Sequence, residues 1–166
     1  MESFDMTKKI LVSTMVLLSI ALVATTAAQE APSPQESAET ATVNRQAVFK
    51  LLGVNIGAIV GMARDQVPFD AAIAERNARR IAMLAPMIPE LLGAMDTREF
   101  DVETAALPLI WDNLDEIADK AQNLVEAANT FADVAAAGDQ MATLGGLRSL
   151  GGACGSCHDT FRVDDD

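Results

Sequence analysis

The residue types best suited to chemistry are concentrated near the carboxyl end of the chain. The stretch GGACGSCHDTF, Gly151 to Phe161, contains both cysteines, Cys154 and Cys157, and the only histidine, His158. On a helix these three side chains would project from one side, because residues three and four apart are helical neighbours. Two thiols and an imidazole that face one way could form a redox pair, bind a metal ion or attach a prosthetic group.

The first two of these interpretations, and a structural disulfide, each meet a physical objection. A disulfide between Cys154 and Cys157 closes a very small loop, so it adds little stability through chain entropy. A redox C-x-x-C motif usually occurs near a βαβ pattern, and the sequence shows no clear strand pattern. A structural zinc site has four ligands, so this cluster would have to recruit a carboxylate as the fourth.

The third interpretation, attachment of a prosthetic group, fits the order of the residues. C-x-x-C-H is the attachment signature of c-type haem. The two cysteine sulfurs add to the vinyl groups of the haem, and the adjacent imidazole is an established iron ligand. We therefore predict one covalently attached haem c, with thioether bonds at Cys154 and Cys157 and with His158 as the metal ligand.

The late position of the motif restricts the class of haem protein. Only residues 159–166 follow His158, and none of them is methionine or histidine. The common small cytochrome c, with an early motif and a downstream methionine ligand, is therefore excluded. A second axial ligand would have to be an upstream methionine, and beyond the first thirty residues the earliest of these is Met62.

Four amphipathic helices are predicted to position and cover this motif. Apolar residues recur at spacings of three and four in the approximate ranges 41–62, 70–85, 108–137 and 140–162. Pro86 and Pro89 end the second helix, whereas Gly138 stops the third and Asp139 caps the fourth. Because that link is short, the last two helices should be antiparallel neighbours. The predicted fold is all-α: an antiparallel four-helix bundle with covalently attached haem.

The fourth predicted helix is unusually rich in glycine. Five glycines lie within it: Gly145, Gly146, Gly151, Gly152 and Gly155. Each costs about 1 kcal/mol of helix propensity relative to alanine. We therefore expect this helix to depend on burial against a large apolar group that binds only the native state, which fits a haem.

The amino-terminal residues are typical of an export signal. Lys8 and Lys9 precede an apolar run at residues 10–24, which is followed by small residues. This pattern predicts a secretory signal peptide ending at Ala28. The alternative, a membrane anchor, usually needs about 20 apolar residues. The predicted organisation is a signal peptide at 1–28, a disordered Pro/Ser/Glu-rich lead-in at 29–40 and the four-helix haem domain at 41–163.

The charge of the chain limits its partners. The formal net charge is −12, and removal of residues 1–28 leaves it unchanged because two acidic and two basic residues are lost. Nucleic acids and anionic membrane surfaces both attract basic patches. We therefore expect no nucleic-acid partner, and no membrane association after the signal is cleaved.

Taken together, these features resemble the cytochrome c′ family, whose members are four-helix bundles. The resemblance covers about residues 42–162. It includes NRQAVF in the first helix, VPFDA before the second, IWDN early in the third and CHDTFR at the end. Cytochromes c′ also carry an export signal and a C-x-x-C-H motif in the last turns of the fourth helix.

The resemblance implies roles for three residues of the first helix. Arg45 and Gln46 match positions near the haem propionates, and Phe49 matches the large apolar side chain over the open face of the iron. Arg45 and Phe49 are four residues apart, so one helical face can present both. The alternatives are core packing for Phe49 and solvated surface charge for Arg45.

The resemblance also implies roles around the motif. His158 matches the sole protein ligand of the iron, and Phe161 and Arg162 match the aromatic and the arginine beside its imidazole. For Arg162, as for Arg45, a solvated surface charge is the alternative.

A low-spin branch of the same bundle class carries a methionine at the distal position and transfers electrons. Here that position is Phe49, and Met62 lies about 20 Å further along a helix. We therefore expect a five-coordinate iron. The resemblance then implies a periplasmic homodimer, paired through the first helix, that binds nitric oxide and carbon monoxide. No acid–base residue is evident near the distal face, so we expect no enzymatic activity; electron transfer to a redox partner protein is the alternative.

Overall fold

Five α-helices and a 3₁₀-helix account for most of residues 31–163, the part of the chain that this computed structural model describes. They are α1 (Pro34–Ala63), α2 (Ala71–Leu84), α3 (Met87–Gly93), the 3₁₀-helix (Pro108–Asp112), α4 (Leu114–Ala136) and α5 (Gln140–Phe161). The predicted helices correspond to α1, α2, α4 and α5, so the all-α bundle is confirmed. The predicted signal peptide, and residues 29 and 30 of the predicted lead-in, lie outside the described residues.

The four long helices pack in a series. α2 and α4 pack against each other most extensively, α1 packs on α2, and α5 packs on α4. Each long helix contributes a fully buried aliphatic side chain to the shared core: Ile59, Ile81, Ile117 and Leu150. α1 and α5, at the two ends of the series, make few direct backbone approaches to each other. The helix with Phe49 and the helix with the C-x-x-C-H motif are therefore not closely packed against each other.

The start of α1 differs from the prediction. The helix begins at Pro34, so residues 34–40 are helical and the predicted disordered lead-in, residues 29–40, is corrected over that range. The cause is a capping box, in which the Ser33 hydroxyl accepts from the Glu36 amide and the Glu36 carboxylate accepts from the Ser33 amide. Proline at the first helical position is also favourable. A Pro/Ser/Glu-rich composition suits disorder and helix starts equally, which explains the error.

The connection from α2 to α4 is more structured than predicted. α2 ends before Pro86, as expected, but the short helix α3 follows at once. It tolerates Pro89 because that residue lies in its first turn, where its missing amide proton is not needed. The third predicted helix divides at Asn113, whose φ of −135° separates the 3₁₀-helix from α4.

The tight link between α4 and α5 agrees with the prediction. Gly138 has a φ of +80°, a left-handed conformation that glycine adopts without strain. The Asp139 carboxylate then accepts a 3.0 Å hydrogen bond from the Ala142 amide and caps α5. The chain reverses here, so α5 returns along α4.

Candidate haem-binding site

The C-x-x-C-H motif occupies the last turns of α5. Cys154 and Cys157 are partly buried and packed against the hydrophobic core. Burial raises the pKa of both thiols. The two sulfurs therefore lie on the inner side of α5, where an apolar group attached to them would be covered by the bundle.

The imidazole of His158 is also partly buried. Burial lowers its pKa, the positive charge of Arg162 lowers it further, and Asp159 opposes the shift. The lowered pKa favours the neutral imidazole, which is the form that ligates metals. Arg162 is exposed, and its positive charge acts on His158. Its role beside the ligand stays a prediction.

The glycines around the motif leave open space on the helix surface. A Cβ atom added at Gly151 or Gly155 would meet nothing within 4 Å. These residues lie seven and three positions before His158, so they share its side of α5. By contrast, a Cβ atom at Gly146 would come within 3.3 Å of the Phe131 ring. The same open space is found at Gly145 and Gly152, so the glycines permit a bulky group beside the motif without selecting one. The donor set of two cysteines and a histidine is what fits a haem.

The ring of Phe49 does not belong to the core. It is 40% exposed, whereas Leu52 and Ile56 of the same helix pack against the buried cluster. Core packing, one of the two interpretations of this residue, is therefore contradicted. The ring is available on the surface of α1 to cover a bound group.

Arg45 is not a solvated surface charge, because the residue is only 5% exposed. Its guanidinium donates to the Leu91 carbonyl at 2.9 Å, to the Thr97 hydroxyl at 3.0 Å and to the Met95 carbonyl. It also lies 5.4 Å from the centroid of the Trp111 ring. Burial lowers the pKa of Arg45. The guanidinium therefore binds α3 and the segment after it, a role that sequence reasoning missed because its acceptors are about fifty residues away.

The segment 94–107 connects the two helices of the site. From α1, the Gln46 amide donates a 2.9 Å hydrogen bond to the Glu103 carbonyl. At the end of α5, the Phe161 carbonyl accepts a 2.9 Å hydrogen bond from the Leu107 amide. Gln46 is exposed, and its side chain is hydrogen-bonded to this segment. Phe161 lies beside the same segment and is only 3% exposed. The segment 94–107 thus connects the first half of α1 with the end of α5 through hydrogen bonds.

One further residue near the motif was not identified from the sequence. Lys120 of α4 donates a 3.0 Å hydrogen bond to the Ser156 carbonyl, inside the C-x-x-C stretch. The sequence offers only a weak signal for it, an i,i+4 pair with Glu116. The α5 carbonyl that Lys120 reaches depends on the register of the two helices, which the sequence does not give.

Comparison with known proteins identifies the family. The family model described as Cytochrome C′ matches residues 40–162. Cytochrome c-554 of Cereibacter sphaeroides is 38% identical over 123 residues, which are 73% of this chain and 79% of that protein. Cytochrome c′ of Allochromatium vinosum is 34% identical over 158 residues, which are 94% of this chain and 99% of that protein. A solved cytochrome c′ described as having ligand-controlled dimer dissociation has a TM-score of 0.67 and 32% identity, covering 76% of this chain and 97% of its own. The chain therefore belongs to the cytochrome c′ family and is a covalent haem c protein.

Proposed function

We propose that this protein binds small uncharged diatomic gases, nitric oxide and carbon monoxide, at a haem attached through Cys154 and Cys157 and ligated by His158. When bound, the haem supplies an iron with one protein ligand and one coordination position for an exogenous molecule. The protein supplies the two surroundings of the haem: His158 would bind the iron from α5, and side chains of α1 would cover the opposite face of the haem. Scavenging of nitric oxide is the physiological role that fits this binding.

The observation that carries the proposal is the side chain that α1 presents. Phe49 is partly exposed and lies outside the core, and a phenyl ring cannot ligate iron. The one methionine of α1, Met62, is 3% exposed and lies about 20 Å further along the helix. The sequence has no second histidine. α1 therefore offers a side chain that can cover the haem and no methionine or histidine near it that could ligate the iron.

The polar side chains beside Phe49 support selectivity for gases that need no hydrogen bond. Arg45 donates to acceptors in and after α3, and Gln46 donates to the Glu103 carbonyl. Asn55, further along α1, donates to the Leu51 carbonyl of its own helix. Bound dioxygen is stabilised by distal hydrogen-bond donors, and these donors are engaged elsewhere. Nitric oxide and carbon monoxide have no such requirement.

The proposed setting is a periplasmic homodimer. α1 is the one described helix with the length and apolar composition of a membrane span, and 22% of its most apolar window is buried. Its exposed apolar side chains include Val43, Leu51 and Val54, which are 50% or more exposed. An exposed apolar stripe of this kind marks an interaction surface. Pairing of two copies through α1 covers this stripe, and export by the amino-terminal signal places the protein in the periplasm.

The test is the absorption spectrum of the exported haem protein, oxidised and reduced, followed by titration with carbon monoxide and nitric oxide. We expect high-spin bands in both oxidation states and one gas molecule bound per haem. Low-spin bands with no carbon monoxide binding would contradict the proposal. That result would favour the alternative, an electron-transfer cytochrome that acts with a redox partner protein.

A further inference from the structure

The haem-binding turn of α5 is contacted by a mostly buried lysine from α4. The Lys120 side chain is 18% exposed, and its Nζ donates to the Ser156 carbonyl at 3.0 Å. Ser156 lies between Cys154 and Cys157, so this bond is made to the backbone of the C-x-x-C stretch itself. A charged donor makes a stronger hydrogen bond than a neutral one, so the contact fixes the turn against α4.

Two further groups hold the Lys120 ammonium in place. The Glu116 carboxylate, one turn earlier on α4, lies 3.3 Å from Nζ. On the other helix, the centroid of the buried Phe161 ring lies 6.0 Å from Nζ, within the range of a cation–π contact. Phe161 is three residues beyond His158. The ammonium is therefore fixed by a carbonyl, a carboxylate and a ring, all next to the motif.

The ammonium lies closer to the motif than its counter-charge does. Nζ lies 3.0 Å from the Ser156 carbonyl oxygen on α5, whereas the 3.3 Å contact of the Glu116 carboxylate is with Nζ, on its own helix. Glu116 is half exposed, so water screens it more than it screens Lys120. The pair therefore presents its positive end to the haem-binding turn.

We propose that Lys120 is a positioning residue for the haem-binding turn and that its charge, partly compensated by Glu116, raises the reduction potential of the bound haem. The inference rests on the haem attachment proposed above but not on gas binding. A positive charge beside the site disfavours the oxidised state, which carries one more positive charge than the reduced state. Its hydrogen bond to Ser156 also sets the orientation of the turn that presents His158.

Midpoint potentials and the iron–histidine vibration of four purified haem protein variants test this inference. We expect Lys120→Met to lower the potential and shift the vibration, Lys120→Arg to restore most of both, and Glu116→Gln to raise the potential. Lys50→Met removes an equal charge from an exposed position of α1 and should change the potential much less. The opposite signs for the two partners separate an electrostatic role from a packing role, since loss of packing has no reason to reverse sign.

Shifts of the same sign in Lys120→Met and Glu116→Gln, or shifts no larger than that of Lys50→Met, would overturn the inference. If Lys120→Met does not mature, Glu116→Gln still tests the inference, because this variant keeps the bond from Lys120 to Ser156. An unchanged or lowered potential in Glu116→Gln would then refute the inference. Carbon monoxide titration of the same samples reports the proposed gas binding separately. A protein that binds no gas but shows these shifts would refute only that function.

Discussion

Phe49 controls access to the haem in the proposed function. A ligand approaching from α1 must displace a phenyl ring, which has few alternative rotamers. We expect Phe49→Ala to raise the carbon monoxide association rate more than tenfold, measured by rapid mixing. Because the ring is 40% exposed, the loss of stability should fall below the about 3–5 kcal/mol typical of a fully buried phenylalanine.

Phe49→Leu is the matched control for this prediction, since it keeps an apolar side chain of smaller, more flexible shape. Its association rate should lie between those of the wild type and the alanine variant. If alanine destabilises the protein and leaves the rate unchanged, Phe49 does not cover the open face.

Arg45 is a different kind of residue, a buried cation that satisfies three acceptors. Arg45→Lys keeps the charge but loses the planar fork that reaches Leu91, Met95 and Thr97 together. Hydrogen bonds to charged groups contribute about 1.5–3 kcal/mol each, so we expect a loss of about 3 kcal/mol in the free energy of unfolding. Denaturant titration of the haem protein measures it.

Arg80→Lys, at an exposed position of α2, provides the control and should stay within about 0.5 kcal/mol of the wild type. A loss in Arg45→Lys no greater than that of the control would mean that the network around Trp111 adds little stability.

Single residues differ in how far the sequence alone predicts their roles. The spacing of Cys154, Cys157 and His158 is local, so the sequence predicts a haem site directly. Arg45 is ambiguous in sequence, because its acceptors belong to a segment whose position depends on the whole fold. The exposure of Phe49 likewise depends on how α1 is turned against α2.

Among the elements, α5 depends most on what it binds. It contains five glycines, and near the motif no side chain fills the space beside Gly151 and Gly155. We expect Cys154→Ala combined with Cys157→Ala to give haem-free protein with reduced helix content and a broad, early thermal transition. Circular dichroism of the exported protein measures both. A fully helical variant that melts cooperatively at the wild-type temperature would contradict this dependence.

Helices with strong periods and clear caps could be predicted, and those with ambiguous signals could not. The turn at Gly138 and Asp139 combines a stop and a cap at adjacent positions, so both helix boundaries there were predicted closely. α3 was missed because two prolines suggested only an interruption. The first two turns of α1, residues 34–40, were missed because Ser33 and Glu36 form a capping box within a composition typical of disorder.

For the whole molecule, the exposed apolar stripe of α1 predicts self-association. We expect a dimer in sedimentation experiments, and a shift towards monomer in Val54→Glu, because burying an unpaired charge in an interface is strongly unfavourable. Val54 is 64% exposed, so the substitution should leave the fold intact. Met83→Glu, on α2 at 76% exposure, is the matched control and should remain dimeric. A wild-type monomer at all accessible concentrations would remove this prediction.

Ligand binding and dimerisation should be coupled, because one helix serves both. Phe49 and Val54 lie on the same helix, about 140° apart around its axis at 100° per residue. Displacement of the Phe49 ring by a ligand should shift α1, and a shift of α1 should alter the packing at the proposed interface. We expect saturating carbon monoxide to raise the dimer dissociation constant. By linkage, dilution to monomer should raise the affinity for carbon monoxide by the same factor per dimer. Sedimentation with and without the gas measures the first quantity, and titration at two protein concentrations measures the second.

Phe49→Ala should abolish the coupling while keeping the dimer, since no ring remains to be displaced. Equal dissociation constants with and without carbon monoxide in the wild type would show that the two faces of α1 act independently.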